Sequence, residues 1–224
     1  MSQPNTTIDP VVADRVFRPK LSDKGILITI DGFDGSGKST QIDGLAERFR
    51  REGREVVLTR QPTDWYRDTQ AVRHFHDEGG SAQRARFLSL FAAADRLRHI
   101  LEVVDPALER DAVVISDRYV LATYAVFTHR GVDFDFLVTI NSGVTRPDFA
   151  FYIDVPTDTL LARLRARDGD KLKHEEKSSE RVDSIKSRWH AMRSMLTVVD
   201  GTKKPDVLSE ELFSICMAGQ KAPA

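Results

Sequence analysis

Apolar and polar positions along the 224 residues follow two periods in turn. ILITI (26–30), EVVLT (55–59), AVVIS (112–116), FAFYIDV (149–155) and LTVVD (196–200) are short apolar runs rich in β-branched and aromatic residues. Such runs fit strands buried on both faces of a parallel sheet. Between them the period lengthens to that of helices. KSTQIDGLAERFRREG places Ile42, Leu45 and Phe49 on one face, and Gly53 stands where that helix should stop. A long helical region is expected from Ser81 to Leu108, with Phe87, Leu88, Phe91, Leu97, Ile100 and Leu101 near one stripe. Further helices are expected at 119–128, 133–143, 157–167 and about 206–218. The stretch DGDKLKHEEKSSERVDSIKSR (168–188) is dense in charge and reads as a solvated connection. Residues 1–24 carry no clear period. They are expected to form a polar extension, disordered in part, with Val11, Val12, Val16 and Phe17 as docking residues. Five strands alternating with helices predict an α/β fold, a doubly wound parallel sheet in one domain over 25–224.

Composition narrows the class. Lys+Arg of 33 against Asp+Glu of 34 leaves a net charge of -1, so bulk attraction to nucleic acid is not expected. No apolar run nears the length of a spanning helix, which argues against a membrane partner. One cysteine, Cys216, excludes an internal disulfide and points to the cytoplasm. The six histidines are scattered without zinc spacing.

The chemistry is concentrated in GFDGSGKST, which fits G-x-x-x-x-G-K-[ST] between a strand and a helix. Gly32, Gly35, Ser36 and Gly37 let main-chain N–H groups wrap an oligophosphate. Lys38 would reach its terminal phosphates, Ser39 would ligate Mg²⁺, and Ser39 and Thr40 open a helix whose N-terminus favours anions. ATP with Mg²⁺ is the expected ligand pair, and the fold becomes one of the P-loop NTPase type. Asp34 inside the loop either points to solvent or faces a second ligand. SDRY sets Asp117, a candidate metal residue, and Arg118 at the carboxyl end of the third strand. LTRQP sets Arg60 at the corresponding end of the second. Ligands of such sheets bind along that edge, and a guanidinium fork suits phosphate.

In order and spacing, IDGFDGSGKSTQ, LTRQP, FAAADR, ISDRY and PDFAFYIDV resemble the thymidylate kinases over about residues 25–205. The resemblance implies transfer of the ATP γ-phosphate to a deoxynucleoside monophosphate, usually dTMP. It implies Asp34 near the acceptor sugar, Arg60 and Arg118 on the acceptor phosphate, and Arg96 on the base with a phenylalanine stacked beside it. It also implies a homodimer paired through the helix at 81–104, and a lid at about 168–180. The phosphate loop has no arginine, and because members of that family without one take the charge from the lid, the resemblance implies a mobile lid cation. Arg167 is preferred for this, with Arg163, Lys171 and Lys173 as the other candidates.

Three departures touch the acceptor pocket. Phe91 and Arg96 are five apart where the family has four, which rotates the ring by about 100°; Phe91 either stacks on a base or belongs to the core. Ala122, Val126 and Phe127 replace polar residues, leaving Thr123 to offer a hydroxyl. Gln61 stands where glutamate is common, and a neutral amide is expected to brace an arginine less well. A kinase for another nucleotide or a nucleoside, and an ATP-binding paralogue without turnover, are the alternative readings.

Overall fold

The computed structural model describes residues 11–169 and 171–220. The chain begins with α1 (Val11–Val16) and β1 (Phe17–Arg18), followed by β2 (Ile26–Asp31), α2 (Lys38–Arg51) and β3 (Val56–Arg60). Three helices come next, α3 (Asp64–Arg67), α4 (Gln70–Glu78) and α5 (Ala82–His99). A π-helical turn, Ile100–Val104, carries α5 into α6 (Asp105–Glu109). Then come β4 (Val113–Asp117), α7 (Val120–His129), α8 (Phe134–Ile140), β5 (Val144–Thr145), β6 (Phe149–Asp154) and α9 (Thr157–Asp168). A 3₁₀ turn, His174–Lys177, leads into α10 (Ser179–Ala191), β7 (Thr197–Asp200) and α11 (Pro205–Gln220).

The main sheet has five parallel strands in the order β3-β4-β2-β6-β7. Helices flank it, as the alternation of periods predicts. β2 is central and every residue of it is buried, which is why ILITI carries no polar alternation. Ile30 of β2 and Arg60 of β3 both align with Asp117 of β4, so the carboxyl ends of three adjacent strands come level. One continuous apolar cluster runs from Val16 to Cys216.

Residues 11–24 are docked. Val16 is fully buried, Phe17 nearly so, and β1 pairs in parallel with β5. Ion pairs Arg15–Asp135 (3.1 Å), Arg146–Asp14 (2.8 Å) and Lys20–Asp148 (2.7 Å), with Arg18–Asp105, hold this strap. The expected disorder of the extension concerns residues 1–10, which lie outside the described residues. The charged stretch at 168–188 is largely helix rather than a solvated connection. Val182, Ile185 and Trp189 of α10 are buried, an i, i+3, i+7 face beneath the charges. The expected α5 stripe also divides. Leu88 and Ile100 are buried, whereas Phe87, Leu90, Leu97 and Leu101 stay about half exposed.

Gly25, just before β2, lies against the backbone of α6, and a Cβ there would meet Leu108 Cα at 2.5 Å. Backbone cannot yield as a flexible side chain does. Gly25→Ala is expected to lower stability by about 1–3 kcal/mol, read from urea unfolding.

Candidate active site

The segment 32–37 turns from the end of β2 into α2 in six residues. Gly37, which caps α2, has φ 96, a left-handed backbone that glycine adopts without strain. A Cβ on Gly32 would lie 2.5 Å from Ser36 Oγ. The first turn of α2 has no acidic side chain and no side-chain cap, so its free N–H groups face the loop unopposed. Ser39 and Thr40 are exposed there, while Ser36 Oγ is buried without a partner. Lys38 folds back over the loop, and its Nζ donates to the Phe33 carbonyl at 3.2 Å. Burial, and then the Arg118 charge, push the Lys38 ammonium down to about 8 against the pull of Asp34, Asp117 and Asp31.

Asp34 does not point to solvent. Its Oδ1 accepts from Arg118 Nη2 at 2.5 Å and lies 3.6 Å from Lys38 Nζ, and its Oδ2 accepts from Lys173 Nζ at 2.6 Å. Burial would raise this carboxyl, but Arg118, Lys38 and Lys173 together hold it well below the usual carboxylate range. One carboxylate thus joins the phosphate loop, the end of β4 and the segment after α9. Arg118 sits at φ 67, an uncommon conformation for a residue with a Cβ, and its backbone N–H donates to the Ile30 carbonyl at 3.0 Å. Beneath it, both Asp31 oxygens and Asp117 Oδ1 are buried without hydrogen-bond partners. Burial lifts Asp31 to about 6, with Arg118 opposing and Asp117 adding to the rise.

A cleft of about 120 Å³ opens beside Asp34. Its lining includes Phe33, Asp34, Tyr66, Arg67 and Arg118, together with Ala122, Thr123, Val126 and Phe127 of α7 and Trp189 of α10, and the charged Arg130, Lys173, Glu175 and Glu176. Thr123, expected from the sequence to offer a hydroxyl to the acceptor, lines this cleft. Phe91 and Arg96 are not on the cleft wall. No bulge absorbs the extra residue between them, because α5 is regular through both and the π turn begins only at Ile100. Phe91 packs instead on Trp65 and Tyr66, at ring separations of 4.8 and 5.3 Å. Arg96 is 1 % exposed, and every nitrogen of its guanidinium is taken. Nε donates to Asn141 Oδ1 at 3.1 Å, Nη1 to Gln61 Oε1 and Nη2 to Thr123 Oγ1. Gln61 does brace an arginine after all; its amide also meets His99 Nδ1 at 2.9 Å.

Arg60 is half exposed and paired with Asp64. Arg167 lies bidentate on Asp168, at 2.8 and 2.6 Å, so its fork is occupied by its neighbour. Lys173 is the lid residue that reaches Asp34, and Arg163 donates to the Gly35 carbonyl at 3.2 Å. Sequence reasoning missed Arg67, and it missed the buried pair Arg130–Glu175 (2.5 Å) that ties the lid to α7. The apolar face of α10 was the one readable signal that the lid packs down.

A parallel sheet with a glycine-rich loop entering a helix, a buried lysine over that loop and cationic walls beyond defines a phosphate-loop phosphotransferase of the nucleotide kinase class. The thymidylate kinase family model matches residues 30–212. Similar proteins include a thymidylate kinase of Halothermothrix orenii, 30 % identical over 200 residues, covering 85 % of this chain and 95 % of that one. A thymidylate kinase of Pseudomonas fluorescens is 42 % identical over 149 residues (64 % and 70 %), and a probable thymidylate kinase of Pyrococcus horikoshii 39 % over 147 (64 % and 72 %). The chain belongs to the thymidylate kinase family, whose members are ATP-dependent phosphotransferases.

The strained backbone of Arg118 gives a separable signature. Arg118→Ala and Arg118→Gly remove the same guanidinium, so both should leave the same deficit in turnover. Only glycine relieves the left-handed strain, and Arg118→Gly is expected to unfold about 1 kcal/mol later in urea than Arg118→Ala. A glycine variant less stable than the alanine variant would contradict this.

Proposed function

We propose that this chain transfers the γ-phosphoryl group of ATP to dTMP, giving ADP and dTDP. The observation that carries the reading is the junction at Asp34, where the anion-binding loop meets a cleft bearing guanidinium groups. Family membership supports the same donor and acceptor. The main-chain amides from Gly32 to Thr40 cradle the triphosphate, and Lys38 turns from the Phe33 carbonyl to its terminal phosphates. Arg118 and Arg60 grip the acceptor phosphate, with Asp34 keeping Arg118 aligned beside the acceptor sugar. An acceptor oxygen bonds to the γ-phosphorus as the bond to the β,γ-bridging oxygen breaks, and that electron pair leaves on ADP. The attacking oxygen is already anionic, so no general base is needed; alignment and charge neutralisation carry the rate. Lys173 follows the charge from the lid, with Arg167 as the second lid cation.

The residues present fit Mg²⁺. This ion takes one or two carboxylates together with phosphate oxygens, and Asp117 and Asp31, at the carboxyl ends of adjacent strands, offer buried oxygens without partners. Asp117 and Ser39 would hold it, and bound there it supplies neutralising charge to the phosphates.

Thr123 supports thymine as the base. Arg96 occupies a lone pair of its hydroxyl, leaving the O–H free to donate into the cleft. A ring carbonyl accepts such a bond and a ring amino group does not. Ala122, Val126 and Phe127 then give an apolar berth for the methyl-bearing edge. We also place a second copy of the chain on the exposed stripe Phe87, Leu90, Leu97 and Leu101, which spans an arc of roughly 80° along α5 and the π turn. A single buried cysteine and the absence, among described residues, of a helix able to cross a membrane support cytoplasm as the compartment.

Three outcomes are expected. In a coupled ADP-release assay over dTMP, dUMP, dCMP and thymidine, dTMP turns over best and Lys38→Met loses at least about 100-fold in kcat. ATP binding without turnover on any acceptor would sink the kinase reading. Thr123→Val lowers kcat/KM for dTMP by about 10-fold or more and narrows its lead over dCMP. Leu97→Glu with Leu101→Glu converts a dimer to a monomer in light scattering, whereas a monomeric parent protein would remove the dimer.

A further inference from the structure

We infer that Arg67 is a third guanidinium for the phosphate of the acceptor, a role that rests on reading the cleft as the acceptor site. Arg67 ends α3, a helix of four residues whose start is pinned by Asp95, which accepts from Thr63 N at 2.6 Å and from Thr63 Oγ1 at 2.5 Å. It lines the cleft with Asp34 and Arg118. Its Nε donates to the Pro62 carbonyl at 2.6 Å, which fixes the plane of the fork.

Each of the other arginines near the cleft has a side-chain partner on at least one terminal nitrogen. Arg118 is bonded to Asp34, Arg60 to Asp64, Arg130 to Glu175, and Arg96 to Asn141, Gln61 and Thr123. Arg67 differs: among the described residues its two terminal nitrogens have no hydrogen bond and no carboxylate partner. Part-burial, and then the charges of Arg118 and Arg60, work against its protonated form, with Asp117 and Asp34 too few to cancel them. Arg67 and Arg118 therefore line one space, with Arg60 near enough for its charge to act on Arg67. The carboxylates on that wall are already engaged, Asp34 by Arg118 and Lys173, Glu175 by Arg130, and Glu176 by the Lys173 backbone N–H. A multiply charged oxyanion is the ligand chemistry that satisfies such a set. A phosphomonoester dianion supplies two charges and three oxygens, enough for a bidentate contact with Arg67 alongside contacts with Arg118. A neutral nucleoside offers none of this.

The test uses the full chain, with dTMP and thymidine as separate calorimetric ligands and with steady-state kinetics. Arg67→Ala should weaken dTMP binding by about 10- to 100-fold and raise KM by a similar factor, with kcat changed far less and thymidine binding unaltered. Arg67→Lys should recover part of the dTMP affinity, as a point charge without the fork. If dTMP binds Arg67→Ala as it binds the parent, the proposal is wrong. Equal weakening of dTMP and thymidine also overturns it, and assigns Arg67 to holding the Pro62 turn. Should the unsubstituted protein itself fail to bind dTMP, the acceptor-site reading falls before any variant is compared.

Discussion

A part-buried carboxylate among cations organises this molecule. Arg118, Lys38 and Lys173 would repel one another if brought together alone, and burial works against the charged form of Lys38. Asp34 makes the grouping tolerable, because each of its oxygens faces a cation at 2.5–3.6 Å. Those cations come from three places, the helix after the loop, the turn after β4 and the lid. The Asp34 contacts thus also hold the phosphate loop, the end of β4 and the lid in register. The sheet does the coarse work by levelling the ends of β2, β3 and β4, and the carboxylate does the fine work.

The lid is held by a second ionic contact of another kind. Arg130 is 7 % and Glu175 9 % exposed, and the Arg130 guanidinium lies between the rings of Phe75 and Phe127 at 4.7 and 5.3 Å. Glu175 is kept ionised by Arg130 although burial opposes it. Breaking one partner of such a pair leaves a stranded charge, so the pair fixes one geometry of the lid more firmly than it adds net stability. Lys173, two residues away, is delivered to Asp34 as a result.

The five strands and the phosphate loop were legible because each is written in one contiguous stretch. A strand covered on both faces must be apolar throughout, and a loop wrapped on phosphate must lack side chains. The acceptor wall is not contiguous. Arg67 comes from a helix too short to show a period, and Trp189 from a helix whose buried face was hidden among charges. The α5 stripe shows a different limit, since apolar spacing is the same whether a residue meets the core, as Leu88 does, or stands outside it, as Leu97 does. Arg96 misled for a chemical reason. The resemblance implies Arg96 on the base, whereas its donors are spent on neutral acceptors inside the protein.

That saturation bears on how the family member could change its diet. Gln61 and Asn141 hold Arg96, and Arg96 in turn dictates which way the Thr123 hydroxyl can donate, yet neither Gln61 nor Asn141 lines the cleft. Evolution toward a ring with a different edge would therefore begin behind the wall, with an exchange at 61 or 141 that frees or turns the guanidinium. On the proposed role of Thr123, selectivity would be inherited from residues that do not line the cleft.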